Sequence, residues 1–463
     1  MYSQTEFPDF EPLQASIQPG TKVLFANVPA DGHFNPLTGI AVHLKQLGCD
    51  VRWYTAVKYE HKINRLDIPF YPLKKAVDVS ANEDIDVLFP ERKEYKGKVS
   101  KLNFDMVNVF ILRGPEYYAD IKDIYQEFPF DIMICDITFG GIPFVREKLS
   151  IPVVSVSVFP LVETSKDLPP SGLGITPSNS FFGRMKQGLL RFIADRILFA
   201  RSTRVMSSTL AQYGIDSEQA NIFDVMIRKS NIVLQSGTPS FEYKRSDISS
   251  HIKFVGPLLP FTSKKEGKKW HPEILRRYQK VILVTQGTVE RDIEKIIVPT
   301  LEAFKGTNQL VVVTTGGAQT NELKNRYPHA NILIEDFIPF DEVMPHADVY
   351  ISNGGYRGVL MAIQHELPMV VAGVHEGKNE INARIGYFQL GINLKTEKPT
   401  PDQLRQAVLD VLLNDRYSHH IQEFIKEFSQ YHPQELSARY IANLLKNRNK
   451  KTFMKALDTE NIY

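Results

Sequence analysis

The chain has 463 residues, 43% of them hydrophobic and 23% charged. That length exceeds one ordinary hydrophobic core and predicts two domains, while the composition is that of a globular enzyme and argues against disordered, collagen-like and membrane-spanning classes. A formal net charge of +2 calls for neither nucleic acid nor an anionic membrane as partner.

The two cysteines, Cys49 and Cys135, sit in apolar settings without a CxxC partner, so neither a disulfide framework nor a zinc site is expected and a reducing cytoplasm fits. Residues 1–20 are polar and contain proline, which reads as an N-terminal extension rather than a secretory signal. No run approaches the ~20 apolar residues of a membrane span. The basic blocks 264–269 and 446–455 read as a solvated linker and tail.

Lys22 to Asn27 is a first buried strand. It runs into the loop VPADGHFNP and a helix from about Asn35, with Leu37, Ile40, Ala41, Leu44 and Leu47 on one face. The strand Val51–Thr55 follows. Short apolar strands then alternate with helical stretches, at Phe130–Cys135, Val153–Val158 and Ile232–Leu234. From Lys280 the pattern restarts, with a strand, a helix ending at Gly306, and strands at Leu310–Thr315, Asn331–Ile334, Val349–Ile351 and Met369–Val371. Such alternation predicts an α/β protein made of two Rossmann-like, doubly wound parallel-sheet domains facing across a cleft. The expected divisions are 21–260 for the first domain, 261–277 for the linker, 278–434 for the second, and 435–463 for a final helix and tail.

Catalytic groups collect at the carboxyl ends of such strands. His33 lies there after the first strand, where a neutral imidazole suits a general base. Asp136 ends the strand 130–135, and it reads either as the partner of His33 or as an N-cap for the helix opened by Gly140 and Gly141. The strand ending at Ser352 stops at Asn353-Gly354-Gly355 and a helix starts near Tyr356, an arrangement that lets a backbone approach a phosphate beside a helix N-terminus. Gln286-Gly287-Thr288 is the matching turn of the second domain's first strand. Asp84-Ile85-Asp86 has the letters of a metal site, but residues two apart on a helix diverge, so no metal is expected. The stretch 181–206 is amphipathic, with Phe182, Met185 and Leu189 on its apolar face and Arg and Lys opposite.

The segment 335–384 resembles the donor-sugar signature of the family-1 (UDP-dependent) glycosyltransferases, in particular the bacterial macrolide-type members. The shared features are Phe337-Ile338-Pro339, His346-Ala347-Asp348, the x-Gly-Gly turn, Leu367-Pro368 and Asn382-Ala383-Arg384. The resemblance implies a GT-B fold whose final helix crosses back onto the first domain. It implies an inverting, metal-independent transfer of a hexose, glucose from UDP-glucose above others, to a hydroxyl of a hydrophobic phenol, flavonoid or polyketide. No cofactor is implied beyond that nucleotide-sugar co-substrate, and a monomer or weak homodimer is expected.

Carried over residue by residue, the resemblance makes His33 the base and Asp136 its partner, with Thr288 on the diphosphate. Phe337 would stack the base, with Ile338 reading its edge, although the pattern alone favours a core aromatic there. Asn353 stands where many members have histidine. Gly358 and Met361 replace a serine and a ribose-binding glutamate, and Arg357 either restores charge or is a solvated helix residue. Lys378 and Asn379 replace an Asp-Gln pair, with Glu376 and Glu380 nearby. The acceptor pocket would be lined by Phe34, Phe104, Phe159, Phe182, Met185 and Leu189. A basic amphipathic helix also fits a membrane surface, which makes a membrane-associated transferase of a lipid, sterol or carotenoid the alternative. A second is a catalytically silent activator of a partner enzyme.

Overall fold

The computed structural model describes residues 16–81, 84–261, 272–287, 290–375 and 377–460. Seven strands form the first sheet: β1 Lys22–Ala26, β2 Asp50–Thr55, β3 Phe70–Pro72, β4 Ile132–Asp136, β5 Val153–Ser157, β6 Ile232–Ser236 and β7 Ile252–Gly256. They lie in the order β3-β2-β1-β4-β5-β6-β7 and pair in parallel. The second sheet holds β8 Lys280–Thr285, β9 Gln309–Thr314, β10 Ile332–Glu335, β11 Val349–Ser352, β12 Met369–Val371 and β13 Gly391–Asn393, in the order β10-β9-β8-β11-β12-β13 and again all parallel.

Both faces of each sheet are covered, which is why the central strands read as unbroken apolar runs. In β1, Val23 and Phe25 enter one core while Leu24 and Ala26 enter the other. In β8, Val281 and Leu283 likewise part from Ile282 and Val284. Burial pushes the Cys49 thiol up to about 11 and raises the Cys135 thiol as well, so both free thiols behave as small apolar groups.

The first helix begins at Asp31, four residues before the expected start, and contains Pro36. Proline there forfeits only its own bond back to the carbonyl of residue 32, close to the helix start, so the helix continues through it. His33 therefore sits on the first turn of a helix rather than in a loop.

The last helix, Pro433–Glu460, returns to the first domain. Its Leu436, Ala438, Ile441 and Ala442 share a core with Leu37 and Ile40 of the first helix. A second tie runs the other way: Phe241, from the chain just after β6, is fully buried among Tyr356, Phe388 and Phe424 of the second domain. Between β7 and β8, residues 262–271, which carry the basic block of the expected linker, fall outside the described residues.

Candidate active site

In each sheet the connections run to opposite sides of the first strand. This opens a crevice at the ends of β1 and β4 in the first domain, and of β8 and β11 in the second. His33 follows β1 and Asp136 ends β4. Asp136 is 0% exposed, and its Oδ1 lies 3.0 Å from His33 Nδ1. The same carboxylate accepts the Val28 N–H at 2.8 Å, the Thr138 N–H at 3.0 Å and the Thr138 hydroxyl. A group already receiving three donors is an acceptor toward the imidazole as well, so Nδ1 carries a proton and, in the neutral ring, the lone pair falls on Nε2. The His33 side chain retains 22% of its surface.

Asp136 does not cap the next helix, which begins at Ile142 with Gly141 as its N-cap. Thr138 is a member of this cluster that the sequence reading missed. Its hydroxyl also lies 3.2 Å from His33 Nδ1, and its only mark in the sequence is its place two residues beyond a strand-ending aspartate.

Across the crevice, helix Tyr356–Gln364 starts after β11 with Gly355 as N-cap and no side chain on its first N–H groups. Arg357 of that first turn is open to solvent yet crowded by protein. Burial lowers its guanidinium below the ordinary arginine value, against the pull of Tyr350, Asp341 and Asp31, the last from the first domain's opening helix. Phe337 is 70% exposed, which removes the core reading, while Ile338 beneath it is buried.

Several expected donor ligands instead hold the scaffold. Gln286 is buried and its Oε1 accepts the Ile296 and Ile297 N–H groups at 2.9 Å each, while its Nε2 donates to the Asp292 carbonyl; it caps the neighbouring helix. Asn353 donates from Nδ2 to the Gln286 carbonyl at 2.5 Å, joining the two turns. Tyr356 is buried and its hydroxyl donates to the Ser236 carbonyl of the first domain at 2.8 Å. Gly358 faces the Tyr350 hydroxyl, 2.5 Å from where a Cβ would stand, so it is a packing glycine. Asn379 donates from Nδ2 to the Gly172 carbonyl at 2.7 Å, again across the domains. Lys378 opens that helix after Gly377. Gly287 has φ +75 and room beside it, whereas Thr288 and Glu376 lie outside the described residues.

Gly354 has φ +87, and a Cβ there would stand 1.8 Å from Asn382 Oδ1. Asn382 in turn donates from Nδ2 to the carbonyls of Asn353 and Gly373. Gly354→Ala is therefore expected to cost about 1–3 kcal/mol through overpacking and strain and to disturb any anion held at the turn, for which UDP serves as the probe. Urea unfolding and UDP titration check both, and wild-type values in each would refute the close fit.

The acceptor-side expectations need correction at most positions. Phe34 is 2% exposed and wedged between Trp53 and Tyr59, each ring centroid 4.8 Å away. It belongs to the core because the first helix turns it inward. Phe104 is covered by Tyr95 and Phe89. Phe182, Met185 and Leu189 stand open on the outer side of their helix. Phe159 is half-buried just beyond β5.

Asp84 accepts the Asp86 N–H as a helix cap, and Asp86 pairs with Arg92 at 2.6 Å. Among the described residues no group of three or more His, Cys, Asp or Glu could hold a metal ion, and no helix is long and apolar enough to cross a membrane.

The structure is thus a GT-B pair of domains with a His-Asp pair at the strand ends of one and a glycine turn with a bare helix N-terminus at those of the other. Residues 300–443 match the family model described as "Erythromycin biosynthesis protein CIII-like, C-terminal domain". The 4'-demethylrebeccamycin synthase of Lentzea aerocolonigenes is 32% identical over 411 residues, 89% of this chain and 96% of that protein. UDP-glucosyltransferase 1 of Beauveria bassiana is 28% identical over 426 residues, 87% of this chain and 90% of its own. Among solved structures, the glycotransferase of kitacinnamycin superposes with a TM-score of 0.71 at 17% identity, covering 93% of this chain and 100% of that one. The chain belongs to the family-1 glycosyltransferases of the macrolide type, which are sugar-transferring enzymes.

Proposed function

We propose that the protein transfers a hexose, with glucose from UDP-glucose as the leading donor, to a hydroxyl of a hydrophobic small molecule such as a phenol, flavonoid or polyketide, with inversion at the anomeric carbon. The observation that carries this reading is the His33–Asp136 pair at the first crevice, opposite the uncapped helix N-terminus and Arg357 at the second.

His33 Nε2 takes the proton of the acceptor hydroxyl as that oxygen bonds to the anomeric carbon. The bond from that carbon to the diphosphate breaks on the opposite face, and UDP leaves with the electron pair. Asp136 steadies the imidazolium through Nδ1. Charge growing on the diphosphate meets the N–H groups of the helix beginning at Tyr356, the turn at Gly354-Gly355, and Arg357. Thr288 would add a hydroxyl, and exposed Phe337 a face for the base. Dipole, amides and guanidinium together take the part that a metal plays in other transferases, so chelator is expected to leave turnover unchanged. The relatives' names, one a UDP-glucosyltransferase and one a 4'-demethylrebeccamycin synthase, support a UDP-sugar donor and a small-molecule acceptor.

The test is mass spectrometry of reactions holding the pure protein, a panel of UDP- and dTDP-sugars, and phenolic, macrolide and sterol acceptors. A hexose adduct that forms with UDP-glucose, survives EDTA and carries the inverted anomer supports the proposal. Adducts only with dTDP-sugars or with sterols would replace the donor or the acceptor assignment. No adduct with any pair would favour a silent partner role.

A further inference from the structure

We propose that helix Phe181–Ile193 and the turn after it dock the protein on the surface of an anionic phospholipid bilayer. A helix on a protein surface ordinarily turns its apolar stripe toward the core. This one is inverted. Its buried residue is Gln187, whose Oε1 accepts the Ser178 N–H at 2.6 Å and whose Nε2 donates to the Asp167 carbonyl at 3.2 Å. Arg191 donates to the Leu168 carbonyl at 2.6 Å and Arg184 to that of Asn179. The N-terminus is closed by the Ser180 hydroxyl, which accepts the Gly183 N–H. The inward side of the helix is thus held by these polar groups, with Leu190 partly buried beside them and Ala194 of the following turn in the core.

Its apolar stripe faces away. Phe181, Phe182, Met185, Leu189, Phe192 and Ile197 are all exposed, Phe182 at 80% and Ile197 at 72%. From 181 to 197 the stripe runs about 24 Å at the helical rise, longer than one small acceptor covers. It continues onto helix Lys98–Asp105, where Val99 and Leu102 are exposed and Val99 lines a cavity of ≈ 550 Å³ together with Ile197.

Charge selects the occupant. Between residues 181 and 204 stand Arg184, Lys186, Arg196, Arg201 and Arg204, besides the inward-tied Arg191, against the single acid Asp195, in a chain whose net charge is only +2. A second copy meeting this face about a two-fold axis would set these cations against their equivalents. An anionic bilayer instead receives the apolar side chains at the level of its headgroups and the flanking cations at its phosphates. With no described helix able to span, the contact is peripheral.

Co-sedimentation with vesicles of phosphatidylcholine alone, or mixed with phosphatidylglycerol, tests this. The full chain should pellet with the mixed vesicles, far less with the neutral ones, and lose binding as salt shortens the Debye length from about 10 Å at 0.1 M to about 3 Å at 1 M. Phe192→Asp/Ile197→Asp should weaken binding by about tenfold or more at an unchanged melting temperature, since both side chains are exposed. Lys186→Glu/Arg196→Glu, which spares the stripe, should abolish the preference for anionic lipid and serves as second probe where the first variant melts early. Pelleting with neither vesicle, equal pelleting of the variants, or a concentration-dependent dimer that the Asp substitutions dissolve would each overturn the proposal.

Discussion

His33→Ala lowers kcat by about 10²–10⁴-fold, the range that a positioned general base supplies, while affinity for UDP stays at the wild-type value. The split is expected because His33 sits on the first domain and the helix N-terminus proposed to hold the diphosphate on the second. Asp136→Asn is expected to cost at least as much. The carboxylate now accepts the Nδ1–H at 3.0 Å, which leaves Nε2 free to accept a proton. An asparagine amide can present an N–H to Nδ1 instead, and the ring then carries its proton on Nε2, where it cannot act as base. Asparagine also meets the Val28 and Thr138 donors, so a melting curve belongs beside the kinetics. The two groups act as one unit, and the double variant should be little worse than either single one. Steady-state rates with a phenolic acceptor and calorimetric UDP titration check both parts. A variant that keeps more than about a tenth of wild-type turnover would remove His33 from the base role.

Arg384→Met destabilises the protein by about 3–5 kcal/mol, the usual result of removing one member of a buried ion pair. The Arg384 side chain is 4% exposed, 2.7 Å from Glu242 of the first domain's chain and 3.1 Å from Glu380, with the Tyr243 ring 4.4 Å from its guanidinium carbon. Burial works against its charge, and Glu242, Tyr243 and Glu380 overcome this, raising the guanidinium above its ordinary value. Glu242 also accepts the Leu161 N–H at 2.8 Å, and Glu380 accepts those of Gly172 and Gly174. Removing the cation leaves Glu242 a buried charge without its partner, and the joint between domains loosens with it. Glu242→Gln/Arg384→Met should recover part of the loss, because no uncompensated charge remains. Urea unfolding of the wild type, Arg384→Met, Glu242→Gln and the double variant measures the cycle, and a cost for Arg384→Met below about 1 kcal/mol, the range of an exposed pair, would show that the network is solvated.

The central strands, the glycine turns and the His33–Asp136 pair were legible because each rests on a local pattern: an apolar run, a residue type at a strand end, a fixed spacing. The strands β3, β7 and β13 were not. Each lies at a sheet edge with a single neighbour, and FYP, IKFVG and GIN carry too little apolar periodicity to announce themselves. The start of the first helix was missed for a related reason, since Pro36 reads as a beginning and the fold accepts it inside.

The sequence by itself determined the two-domain α/β architecture and the chemistry available at four strand ends, because burial on both sheet faces and catalytic residue types both show in short windows. Only the tertiary structure decided what each candidate touches. Gln286, Asn353, Tyr356 and Asn379 hold loops and domains together, and Phe34 fills a core, while Phe337 and the stripe from Phe181 to Ile197 stand open. A side chain's partners come from distant segments, as with the 207 residues between Gly172 and Asn379. No local spacing encodes on which side of a helix the rest of the chain will lie.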